Sequence, residues 1–228
     1  MTAPRRFPAV HCSGAPFSVG LAHGTRARAQ VVSNIAAYRQ IFREMAKLEW
    51  RAALAIAAQF AAALTQSHPA FLDEMRGIAE GAGVPLLHVV ALNCRSEIAL
   101  SNTNDGCTAF SWRKDDHQWL SQNWDWRPSV LDSLIHLTID AYGPRPAMSF
   151  ITEAGIIGKI GMNEHGVACT LNAIRTASLD TALLPLHLFL RTVLEQPSLA
   201  ACRALVATLP GLATAAHVLI ADATGAVG

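Results

Sequence analysis

No sign of charge is in excess in this sequence: eighteen Lys and Arg stand against seventeen Asp and Glu, a net charge of +1. Nor is there a basic block or an alternation of basic and aromatic residues, so the electrostatic footprint of a nucleic-acid binder is missing. The five cysteines (Cys12, Cys94, Cys107, Cys169 and Cys202) are odd in number, far apart and never spaced as C-x-x-C. That pattern argues against a disulfide framework or a thiolate zinc site, and for a reducing compartment. Long apolar runs are absent too. The most apolar stretch, "AALAIAAQFAAAL" at 52–64, falls well short of the roughly 20 residues that span a bilayer. The N-terminus, "MTAPRRFPAVHCSGAPF", has two arginines but no secretory apolar segment behind them. These absences predict a soluble, cytoplasmic protein with neither nucleic acid nor membrane as a partner. The signatures G-x-x-x-x-G-K-[ST], G-x-S-x-G, H-E-x-x-H and the EF-hand loop are also missing. The nine histidines are scattered, with His11 and His23 twelve apart and His165 in a turn, so no metal site is expected.

What the chain has is core-forming material, 51% hydrophobic against 15% charged, enough for one large domain or two small ones. From about Phe17 to Leu100 apolar residues recur at helical spacing, as in "VVSNIAAYRQIFREMAKL", "AFLDEMRGIAEGAGVP" and "LLHVVALNCRSEIAL". Strand-like segments follow: "CTAFSWR", a polar turn at Lys114–His117, "QWLSQNWDW", "LIHLTID", "AMSFITE", "IIGKIGM" and "GVACTLNAI". After Pro185 helical spacing returns, and "AAHVLIADATGAVG" closes the chain as a strand and the first part of a hairpin. A hairpin with no full return strand predicts a chain incomplete at its C-terminus. Helices, then strands, then helices imply an α+β fold with segregated layers around stacked antiparallel sheets.

Chemistry concentrates around "NDGCTAF". A lone cysteine is most often a buried thiol. Yet Gly106 before it leaves a carbonyl that a thiol can approach without a side chain in the way, although Asp-Gly is also a common hairpin turn. A turn near residues 114–117 would bring the second strand back beside the first, and Asp125 towards Cys107 if the register is right; a solvated carboxylate is the plain alternative. Asn172 lies in an otherwise apolar strand. If buried, its amide must be hydrogen-bonded, either structurally or to a ligand.

"DGCTAF", then "QNWDW", then "FITEAGIIGKIGMNEHGVACTLNAI", in that order, closely resemble the acyl-coenzyme A:6-aminopenicillanic acid acyltransferase family, one group of the self-processing N-terminal nucleophile (Ntn) hydrolases. "GAPFSVGLAHG" and "EMRGIAEGAGV…LNCRSE" are similar to that family's leading segment, so the resemblance covers nearly the whole chain. It implies a four-layer αββα fold and an inactive precursor that cleaves itself between Gly106 and Cys107. Residues 1–106 would then be a mainly helical leading segment, retained as a heterodimer partner, and 107–228 the start of the catalytic part. The resemblance casts Cys107 as nucleophile, Asp125 as the acid that holds the new amino terminus, and Asn172 as part of the substrate or oxyanion wall. Gln122 stands where bile-salt hydrolases and penicillin V acylases carry arginine, as in the acyltransferase branch; with Asn123 it is a candidate substrate contact. The family's other oxyanion asparagine and a late arginine would fall beyond Gly228.

The activity to expect is that of a cysteine amidohydrolase or acyltransferase, passing an acyl group from a small N-acyl amide or an acyl-CoA to water or an amine, with no cofactor. Transfer to 6-aminopenicillanic acid, or a truncated remnant that only binds, are the alternatives.

Overall fold

The structure, a computed structural model, describes residues 7–99, 107–174, 176 and 179–228. The stretch 100–106, with Gly106, lies outside the described residues. The expected leading helices are α1 (Pro16–Arg26), α2 (Arg28–Ile41), α3 (Trp50–Ser67), α4 (Pro69–Ala82), α5 (Leu86–Asn93) and α6 (Arg95–Ala99), with a π-turn at Phe42–Ala46 closing α2. Proline opens α1 and α4, where its missing N–H costs nothing. Gly83, at φ +68°, ends α4 in the left-handed conformation that glycine adopts freely. Two helices follow late in the chain, α7 (Leu186–Leu194) and α8 (Leu199–Thr208), the latter capped by Ser198, whose Oγ accepts from the Ala201 N–H at 3.2 Å.

The strands are β1 (Ala9–Cys12), β2 (Cys107–Lys114), β3 (His117–Trp124), β4 (Leu134–Ile139), β5 (Met148–Glu153), β6 (Gly161–Asn163), β7 (Ala168–Ala173), β8 (Ala216–Asp222) and β9 (Gly225–Val227). Seven of them form one sheet in the order β1-β4-β5-β6-β7-β8-β9, antiparallel except where β1 runs parallel to β4; β2 and β3 pair separately as a hairpin. Leu137, Ile139, Met148 and Phe150 are buried on the sheet face that the helices cover. The other face carries His136, Ser149, Ile151 and Met162, and the hairpin lies over its β7–β8 side. No helix among the described residues is long and apolar enough to cross a membrane.

Three sequence expectations change. Strand β1 was not anticipated, because four residues are too few to show alternation. The closing hairpin does have a return strand, the three-residue β9 paired with β8. Most important, "IIGKIGM" is not a strand until Gly161. Residues Ala154 to Lys159 are instead a buried irregular segment, turned at Gly155 with φ +97°. Buried backbone needs partners, and helix side chains supply them. Asn34 donates to the Ala154 carbonyl at 2.9 Å, and the Gly155 N–H donates to His23 Nε2 at 3.0 Å. Asn93 donates to the Gly155 carbonyl at 2.8 Å and accepts from the Ile157 N–H at 2.9 Å. Arg191 donates to the Ile157 carbonyl at 2.8 Å, and His187 Nδ1 to that of Gly158 at 3.1 Å.

Helices α1 and α4 meet backbone to backbone through Gly20, Gly24, Gly77 and Gly81. A Cβ on Gly77 would sit 2.2 Å from the Phe17 carbonyl oxygen, and one on Gly20 would sit 1.9 Å from that of Glu74. Neither helix can yield without separating, so Gly77→Val is expected to destabilise the fold by about 3 kcal/mol or more in urea unfolding.

His23 makes stability depend on pH. Burial, then the Arg191 charge, holds its imidazole down at about 4 against an ordinary 6.5. The folded state therefore binds fewer protons than the unfolded one between these values, and stability falls as pH drops through that window, by about 3 kcal/mol in full. Buried Glu97, pushed up to about 7 from 4.5 by its own burial, titrates with the opposite sign over an overlapping range. The informative quantity is therefore a difference: the stability advantage of wild type over His23→Gln should shrink as urea titrations move from about pH 7 to about pH 5.

Candidate active site

Cys107 heads β2 and is half-buried, whereas the other four cysteines are buried. The hairpin turns at Asp115-Asp116, with Asp115 at φ +53°. Its register sets Cys107 opposite Trp124, Thr108 opposite Asn123 and Ala109 opposite Gln122. Asp125 thus falls one residue past the cross-strand partner of Cys107. It is exposed, and no hydrogen bond or ion pair holds it among the described residues. Asn123 is also exposed, on the opposite side of β3 from Gln122.

Gln122 and Asn172 both join the hairpin to β7. The β6–β7 register, Gly161 opposite Cys169, would place residue 159 opposite Leu171 if β6 continued. It does not continue, and Gln122 fills the gap. Its Oε1 accepts from the Leu171 N–H at 2.9 Å and its Nε2 donates to the Leu171 carbonyl. Asn172 Nδ2 donates to the Cys107 carbonyl at 3.2 Å, and its Oδ1 is buried with no hydrogen-bond partner among the described residues. At the hairpin's other end Arg113 donates to the Thr224 carbonyl. Between these ties a groove of about 730 Å³ separates the hairpin from the sheet, lined by Leu120, Gln122, Ile151, Met162 and Thr170 among others. Cys107 is not in its wall, so the site's chemistry is better located by the contacts of Cys107 than by this larger opening.

Sequence reasoning missed the charged cluster behind Cys107. Glu153, at the end of β5 and fully buried, accepts from Tyr38 Oη at 2.5 Å and from Lys159 Nζ at 2.7 Å, and pairs with Arg95 Nε at 3.3 Å. The cations are roofed by aromatic rings: Lys159 Nζ lies 4.2 Å from the centre of Trp124, and the Arg95 guanidinium 4.9 Å from that of Trp126. Trp126 Nε1 in turn donates to Tyr38 Oη at 3.0 Å. Burial alone would raise the Glu153 carboxyl, but Arg95 and Lys159 overcome it and hold the group below its usual range. Burial, then Arg95, pushes the Lys159 amine down to about 7 against the pull of Glu153. One carboxylate between two cations leaves the cluster with a tendency to positive charge, and an anion at Cys107 would relieve it.

The signal for this cluster was a single lysine inside an apolar run, "GIIGKIGM", six residues after Glu153, the acidic residue that ends an apolar strand. A long cation in such a run is rarely fully buried unless paired. Removing the shared anion strands both cations, so Glu153→Gln is expected to cost about 3–5 kcal/mol of stability in urea unfolding.

The family model for acyl-coenzyme A:6-aminopenicillanic acid acyl-transferase matches residues 112–227. The chain is also 33% identical, over 221 residues, to the 40 kDa form of the acyl-coenzyme A:6-aminopenicillanic-acid-acyltransferase of Emericella nidulans. That match covers 96% of this chain and 62% of the relative, so the chain spans less than two thirds of the relative's length. With the family model matching just over half of the chain, from the hairpin through the late helices to the last strand, the chain belongs to the acyl-coenzyme A:6-aminopenicillanic acid acyltransferase family.

Proposed function

We propose that this chain is a self-cleaving Ntn-type cysteine amidohydrolase or acyltransferase, within an αββα architecture in the whole protein. The observation that carries the reading is the Asn172 amide donating to the Cys107 carbonyl at 3.2 Å, with its own Oδ1 left without a partner among the described residues. A buried polar atom without a partner is costly and is kept where a ligand or a reaction uses it.

In the precursor the Cys107 thiol attacks the Gly106 carbonyl, an N-to-S acyl shift, and water hydrolyses the thioester to leave Cys107 with a free α-amine. An α-amine has an ordinary pKa of about 7.7–8.0, so near neutrality it can take the thiol proton and later give it to a leaving amine. Asp125, one residue beyond the cross-strand partner of Cys107, is suited to hold that amine, as the third member of a triad holds its base. Attack on an acyl donor then forms an oxyanion, for which the second hydrogen of Asn172 Nδ2, the one not given to the Cys107 carbonyl, is one donor. Gln122 keeps β3 on β7 and so keeps this geometry; Asn123 faces outward and is left to contact substrate at the rim. The acyl-Cys107 thioester passes its acyl group to water or to an amine.

Small N-acyl amides are the substrate class of this reading. Transfer from an acyl-CoA to 6-aminopenicillanic acid is the second reading, favoured by the name of the Emericella relative. Intact-mass measurement of the purified chain tests the first step: fragments 1–106 and 107–228 are expected, and Cys107→Ala should abolish them. A wild-type chain that stays whole through prolonged incubation at neutral pH would sink the self-cleavage reading. Product analysis with acyl amide and water, beside acyl-CoA and 6-aminopenicillanic acid, separates hydrolysis from transfer.

A further inference from the structure

Self-cleavage poses a question that later turnover does not. Until the Gly106–Cys107 bond is cut, the Cys107 nitrogen is an amide and cannot act as a base, so the thiol proton needs another acceptor. Asp125 is a poor one, since it is exposed and nothing among the described residues holds it towards the thiol. His187, the histidine that packs with the buried cluster, is turned away: its Nδ1 faces the Gly158 carbonyl and its Nε2 faces Ser96.

Lys159 is differently placed. Its amine lies against the ring of Trp124, which is the cross-strand partner of Cys107, and it is 1% exposed. The charges around it come from four elements: Glu153 on β5, Arg95 on α6, His187 on α7 and Cys107 on β2, whose negative form favours the protonated amine. The irregular segment that carries Lys159 is fixed by His23, Asn34, Asn93, His187 and Arg191, so the amine is held where it stands.

We propose that Lys159 is the base of self-cleavage: in the uncleaved chain its neutral amine takes the Cys107 thiol proton through a bridging water and returns it to the Cys107 nitrogen as the Gly106–Cys107 bond breaks. This rests on the self-cleavage proposed above. The thiolate sulfur bonds to the Gly106 carbonyl carbon. The carbon–nitrogen bond then breaks with its electron pair going to nitrogen, which takes the proton from the Lys159 ammonium. Water adds hydroxyl to the thioester carbon and hydrogen to sulfur, so no oxidant or reductant is needed. An amine held near 7 by burial and by Arg95 is neutral in a large fraction of molecules at cytoplasmic pH. Once the α-amine exists it serves as the base, and Lys159 reverts to balancing Glu153.

The test follows fragment formation by intact mass across pH in the full chain, for wild type, Lys159→Arg and Lys159→Met. Arginine keeps a cation beside Glu153 but cannot release its proton. Wild-type cleavage should accelerate as pH rises through neutrality. In Lys159→Arg it should slow by about tenfold or more at neutral pH, its rise moving to higher pH, with the thermal unfolding midpoint kept. If Lys159→Arg cleaves as fast as wild type with the same pH profile, the base is not Lys159, while self-cleavage stands. A wild-type chain that never cleaves overturns both readings. Should the variants fail to fold, the wild-type profile decides, because a rate flat from about pH 6 to about pH 8 leaves no place for an amine base.

Discussion

Everything near Cys107 depends on one constraint: the chain leaves the sheet at Ala154 and runs buried to Lys159 without strand partners. A buried backbone group without a partner costs about 1–3 kcal/mol, so several such groups together would exceed the whole stability of an ordinary domain. The helices answer with polar side chains placed inside an apolar core: His23 from α1, Asn34 from α2, Asn93 from α5, and His187 and Arg191 from α7. Arg191 is itself neutralised by Glu74 of α4 at 2.8 Å. The helical half is therefore more than a cover for the sheet. It is the mould in which the irregular segment is cast, and the close α1–α4 contact through glycines sets the mould's dimensions.

From that segment follows the charged cluster. Because β6 starts late, residue 159 is free to turn its amine inward to Glu153 rather than pair with Leu171, and the Leu171 backbone is left for Gln122 to take. The same departure from the sheet thus places a buried amine against Trp124, the cross-strand partner of Cys107, and leaves room for the hairpin to dock on β7. Buried charges of this kind do little for net stability compared with an apolar core of the same shape. Their value lies in holding Arg95, Lys159 and Tyr38 in a single arrangement around one carboxylate.

Much of this was legible in advance where period and punctuation act locally. The leading helices, the Asp115-Asp116 turn and the hairpin pairing that sets Trp124 opposite Cys107 all follow from spacing and turn chemistry. Asn172 was legible as a polar residue in an apolar strand, and the structure sets its amide on Cys107. "IIGKIGM" misled because apolar runs look alike whether they pair in a sheet or are wedged under helices; the difference lies in Asn34, Asn93 and His187, which are distant in sequence. Gln122 read as a contact for substrate, and only the late start of β6 shows that both ends of its amide are engaged with backbone.

The join between hairpin and sheet has a mechanical meaning. Gln122 and Asn172 fasten the root, Arg113 fastens the tip, and every one of these bonds involves a side chain. Side chains can swing on their rotamers where a backbone ladder can only hold or break. The hairpin is thus slung across the 730 Å³ groove by side chains at both ends, with no backbone ladder to the sheet among the described residues.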